Sequence, residues 1–139
     1  MKKTFMLTSL VGIIAFSGCS TDTPKCSDVR VKTKVINTYK KWKDELNNTK
    51  NPLFEIFLKG KIPNLLVLKN ARAISYNKEI KLRECKAEAI FDNNQTWTIH
   101  YTVQNSEENP RDFYVEISKK SLDKVAKESI VESFFQQLP

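Results

Sequence analysis

Histidine is almost missing from these 139 residues: His100 stands alone. Glycine is nearly as scarce, with only Gly12, Gly18 and Gly60, so no glycine-rich loop exists to cradle a phosphate. No serine sits in a G-x-S-x-G elbow. The three cysteines, Cys19, Cys26 and Cys85, form no C-x-x-C pair, and one histidine adds little to them. A cysteine–histidine metal site is therefore unsupported. Acidic residues are outnumbered, 16 against 23 Lys and Arg, which gives a net charge of +7. No apolar run reaches the roughly 20 residues that a membrane-spanning helix needs. These gaps remove the phosphate-loop, serine-elbow and cysteine–histidine metal signatures, and we expect neither an enzyme nor a bound cofactor or metal.

The N-terminus is the most informative segment present. Lys2 and Lys3 precede an uncharged, mostly apolar stretch from Thr4 to Phe16, and Ser17, Gly18 and Cys19 follow. A basic start, an apolar centre and small residues at a cut are the layout of an export signal. A cysteine directly after the small residues resembles the lipobox of bacterial lipoproteins, although Phe16 stands where that family prefers Leu. The resemblance implies a signal peptide over 1–18, removed on export, and a lipid-bearing Cys19 as the new N-terminus, with a diacylglyceryl group and a further chain such as palmitate. Two chains anchor stably where one does so marginally. Ser20 after the cysteine, rather than Asp, resembles the signal for the outer membrane of a two-membrane envelope. The implied location is the cell envelope, on the periplasmic or outer-membrane side, with the membrane as one partner through the anchor.

Loss of the signal leaves a side-chain charge of about +5 over 19–139. Basic proteins favour acidic partners. Export argues against nucleic acid, so anionic headgroups, glycans and acidic proteins remain. With Cys19 lipidated, Cys26 and Cys85 remain as the one pair available in an oxidising compartment. Two separate buried thiols are the alternative.

Residues 19–25 read as a lipidated tether and 26–139 as a single domain. Val31, Val35, Tyr39, Trp42 and Leu46 recur in steps of three or four and predict a helix over 27–48, with Ser27 as its cap. Asn51-Pro52 opens a short second helix that is apolar nearly all round and ends at Gly60. Leu53, Phe54 and Phe57 on it are expected to be buried or covered by a partner. Period-two patterns then mark four strands. The phase changes between Ile80–Leu82 and Cys85–Phe91, which predicts a bulge near Arg83-Glu84. A last helix carries Leu122, Val125, Ile130, Phe134 and Leu138 at core spacing. Short turns impose antiparallel pairing. The fold class is α+β: two N-terminal helices on a four-stranded antiparallel sheet, with a C-terminal helix.

A helix followed by a curved antiparallel sheet resembles the cystatin-like and NTF2-like folds. Cys26 near the first helix, and Cys85-Lys86-Ala87 opening a strand before one that ends in Tyr101, resemble small bacterial lipoproteins over roughly 26–117. The cystatin inhibitory pattern Q-x-V-x-G is absent, so protease inhibition is not implied.

Remaining candidates are few. His100 faces away from Trp97 and Tyr101 and reads as an exposed strand residue. Lys119, Lys120, Lys124 and Lys127 give the last helix a basic face suited to solvent or acidic headgroups. Glu45–Thr49 and Asp92–Thr96 match D/E-x-N-x-S/T, which resembles an acceptor sequence for bacterial glycosylation and implies Asn47 and Asn94 as acceptors. Together these readings point to a lipid-anchored module that binds an envelope protein. Two alternatives stay open. One is an NTF2-like pocket protein, lined by Tyr76, Trp97, Tyr101 and Phe113, with a small ligand or weak acid/base activity. The other is an exclusion or immunity lipoprotein.

Overall fold

A computed structural model describes residues 22–138. Cys19, Ser20 and the signal peptide expected over 1–18 lie outside them. The chain runs α1 (Val29–Asn47), α2 (Pro52–Phe57), β1 (Leu65–Asn77), β2 (Leu82–Phe91), β3 (Thr96–Asn105), β4 (Phe113–Ile117) and α3 (Lys119–Gln136). The strands form one antiparallel meander in the order β1-β2-β3-β4, so the α+β class holds. Among the described residues no helix is long and apolar enough to cross a membrane.

Helix α1 is capped by Asp28, not Ser27: the Asp28 carboxylate accepts from the Arg30 N–H at 2.8 Å. Val31, Val35 and Tyr39 are buried, with Trp42 and Leu46 half-buried beside them. The helix contacts β1 on one side and β4 on the other, so it crosses the sheet. Beneath it lie Cys85, Ala87, Ala89 and Phe91 of β2 and Ile99, Tyr101 and Val103 of β3, all buried. Tyr39, Phe91 and Trp97 pack ring against ring, with centroids 4.7–5.6 Å apart.

The predicted bulge at Arg83-Glu84 is absent. β2 pairs with β3 without interruption from Leu82↔Gln104 to Ile90↔Thr96. The irregularities sit in β1 instead, between Leu65 and Val67, Lys69 and Arg72, and Ala73 and Ser75. The misleading residue is Ile80. It belongs to the turn, where the Asn77 side chain accepts from the Glu79 and Ile80 N–H groups, so its phase says nothing about β2.

β4 pairs only with Tyr101–Asn105, which leaves the first half of β3 without a strand on that side. Helix α3 closes this edge, a common way to protect unpaired backbone. Ser118 N–H donates to the His100 carbonyl, and His100 N–H donates to the Ser121 hydroxyl. Ser121, Val125 and Ser129, four residues apart, are the buried positions of α3. Two of the three are serines, small enough for close approach. The apolar spacing predicted for this helix therefore held only for Val125 and half-buried Leu122. Ile130, Phe134 and Leu138 are exposed.

The N-terminal segment docks earlier than expected. Thr23 is buried, and its hydroxyl donates to the Lys81 carbonyl and lies 3.1 Å from the Tyr76 hydroxyl. The Arg83 guanidinium bonds the Thr23 and Pro24 carbonyls and stacks on the Tyr76 ring. Cys26 and Cys85 form the disulfide. The Tyr101 hydroxyl bonds the Cys26 carbonyl at 2.8 Å. Residues 23–25 are thus part of the domain.

Two buried tyrosines set an alkaline limit. Burial pushes Tyr101 up to about 12. Burial, aided by the Asp92 charge, pushes Tyr39 higher still. The unfolded chain ionises both near pH 10, before the folded chain does, so stability is full below about pH 10 and falls above it. Chemical denaturation should show a loss approaching about 1.4 kcal/mol per pH unit per tyrosine between about pH 10 and 12. Tyr101→Phe should remove that residue's share of the slope.

Candidate functional site

The fold brings together two apolar segments that are far apart in sequence. α2 has one buried ring, Phe54, which is core rather than partner surface. Its other apolar side chains, Leu53, Ile56 and Phe57, are exposed by half or more. The reason is length: six residues make under two turns, and Gly60, at φ +75°, turns the chain away before more of the helix can bury.

Against α2 lies the C-terminal half of α3. Ile56, Phe57, Ile130, Val131, Phe134 and Phe135 line one groove of about 450 Å³, with Lys61 at its rim. All six apolar side chains are exposed. Phe134 and Phe135 meet edge to face, their centroids 6.3 Å apart. Asn93 holds this end of α3 by donating to Glu132 at 3.0 Å. The Asn64 amide donates to the Asp92 carboxylate nearby. The groove therefore sits at the β2–β3 turn, whereas Thr23 is fixed at the β1–β2 hairpin. The length of β2 separates the two, about 30 Å at about 3.3 Å per residue. The sequence pattern placed Ile56 and Phe57 on the apolar second helix, assigned Ile130 and Phe134 to the core and did not name Val131 or Phe135. The placement of Val131 beside Ile130 and of Phe135 beside Phe134, beyond Ser129, was the available signal.

The other candidates are dispersed. Lys119, Lys120, Lys124 and Lys127 are exposed along α3. His100 is exposed on the outer sheet face, as expected, and lines two open troughs with Glu84, Thr102, Glu116 and Ser118 on one side and Thr98, Lys120 and Lys124 on the other. No group of three His, Cys, Asp or Glu side chains converges as a metal site among the described residues. Ser75 and Ser121 stand three residues before Lys78 and Lys124, the spacing of serine–lysine nucleophiles. Both hydroxyls have structural partners: Ser75 donates to Glu84 at 2.6 Å, and Ser121 accepts from His100 N–H.

The two asparagines differ. Asn94 is exposed in the β2–β3 turn with φ +66°. Asn47 ends α1, and its amide oxygen is buried without a hydrogen-bond partner. The space between α1 and the sheet is filled by Tyr101 and Phe113, both buried, and by the Tyr39–Phe91–Trp97 stack. The buried polar side chains described are Thr23, Asn105, Ser106, Ser121 and Ser129, none of them a carboxylate.

Comparison with known protein families, with curated proteins and with solved structures finds no match to this chain.

Proposed function

We propose that this chain is a lipid-anchored protein of the cell envelope that works by binding, and that the groove between α2 and α3 receives an amphipathic segment of a protein partner. The observation that carries the reading is the set of six large apolar side chains exposed around one concavity. A monomer rarely leaves such a patch uncovered. Three of the six are phenylalanines, and rigid rings in a concave setting suit the insertion of aliphatic side chains spaced along a helix. The layout around Cys19 supports the anchor. An interior ligand pocket of NTF2-like type has less behind it: Tyr101 and Phe113 are buried, and the buried polar side chains among the described residues include no carboxylate. An exclusion or immunity role is a special case of the binding reading, with a receptor or toxin as the partner.

Photo-reactive side chains at positions 56 and 135, introduced in living cells, test the groove. Both should join the same protein through an amphipathic stretch, and the same probe at position 98 on the outer sheet face should not. Adducts equal at all three positions, or absent from 56 and 135, remove the groove from the reading. The mass of the N-terminal peptide tests the anchor separately: an unmodified thiol at Cys19 ends that half.

If the acceptor matches are used, Asn94 carries the glycan and Asn47 does not. An acceptor amide must be free to leave the surface, which the turn allows and the helix end opposes. In protein from its own host, Asn94→Gln should lose the mass of one glycan, and Asn47→Gln should leave the mass unchanged apart from the substitution.

A further inference from the structure

The basic excess is not spread over the fold. Residues 29–61, comprising α1, α2 and their loops, hold nine Lys and Arg against three acidic residues, a net +6. Residues 62–138, comprising the sheet and α3, hold eleven of each sign. Only Asp22, Lys25 and Asp28 remain, with a net −1. The four lysines of α3 share their helix with Asp123, Glu128 and Glu132, so that helix is close to neutral as a whole. The ion pairs among the described residues engage only two cations of α1, Arg30 with Asp28 and Lys34 with Asp112. Lys43 bonds Asn64. Lys40 and Lys41 lie on the exposed side of α1, with half-buried Lys32 about two turns towards its start.

We infer that the layer formed by α1 and α2 rests on an anionic bilayer surface. The inference rests on the anchored reading of Cys19 and adds the orientation of the domain. Thr23 is clamped to the β1–β2 hairpin, and three residues, four chain steps, separate it from Cys19. They span at most about 14 Å. Helix α1 begins six residues after Thr23 and therefore starts close to the headgroups. A lipid chain combined with a basic surface is a recurrent two-signal membrane attachment. Each lysine near an anionic surface favours contact by about fivefold. In this orientation the groove, at the far end of the same layer, meets its partner at membrane level.

Lysine acylation footprinting tests this with the full chain, processed in its host, purified and inserted into vesicles. Phosphatidylcholine vesicles are compared with vesicles containing phosphatidylglycerol. The expected result is that Lys40 and Lys41 react about tenfold more slowly on the anionic vesicles and recover in high salt, while Lys119, Lys120 and Lys124 change little. Equal reactivity of Lys40 and Lys41 on both vesicles overturns the inference. So does equal protection of the α3 lysines, which would reflect net charge and no preferred face. Failure of the anchor is read independently, as failure to attach to the neutral vesicles.

Discussion

Replacing Cys26 and Cys85 together by alanine should lower the unfolding free energy by about 4 kcal/mol. The two residues are 59 apart in sequence, and the cross-link removes the freedom of that whole loop from the unfolded chain. The bond ties the start of the domain to β2, where both side chains are buried. Its loss should also loosen what surrounds it: the Tyr101 hydrogen bond to the Cys26 carbonyl and the Arg83 clamp on Thr23 and Pro24. A domain of this size is held by roughly 5–15 kcal/mol, so the change is a large fraction of the total. Equilibrium denaturation of both proteins measures it. The denaturant slope should rise in the alanine variant, because a chain without the cross-link exposes more surface. A change below about 1 kcal/mol would mean that the unfolded chain is already held compact over this loop.

The double substitution Phe57→Ser with Phe134→Ser should weaken partner capture by about a hundredfold or more while leaving the fold intact. Central aromatic residues of an interface typically cost about 2–4 kcal/mol each when truncated. Both rings are exposed by half or more in the free domain, so removing them should change unfolding free energy by less than about 0.5 kcal/mol. Phe54→Ser is the contrasting control. That ring is 6% exposed, and its loss should cost about 3 kcal/mol of stability. The comparison separates a side chain that builds α2 into the domain from one that α2 presents outward. Retention of partner by the double variant, measured in the crosslinking assay or on purified components, would move the interface elsewhere.

Much of the fold was legible without coordinates. Steps of three and four from Val31 to Leu46 place α1, and Asn51-Pro52 with Gly60 brackets α2. The alternation from Trp97 to Val103 places β3 and fixes which of its faces is buried. The misreadings share one cause. Ile80 has the right spacing for a strand, yet the Asn77 side chain holds it in a turn. Ile130 and Phe134 have the right spacing for a core, yet α3 runs past the end of β3 and finds no layer beneath them. A period reports which residues share a face; it cannot say whether anything covers that face.

Local chemistry therefore determined the elements, their order, the available cysteine pair and the clustering of positive charge in residues 29–61. Each of these depends on neighbours in the chain or on a count. Tertiary packing alone decided the groove, whose two walls lie more than 70 residues apart. It also decided the sealing of the β3 edge by Ser118 and Ser121, the docking of Thr23 under Arg83, and the split between buried Phe54 and exposed Phe57. Those features arise where distant segments meet, and the geometry of meeting is set by the whole core.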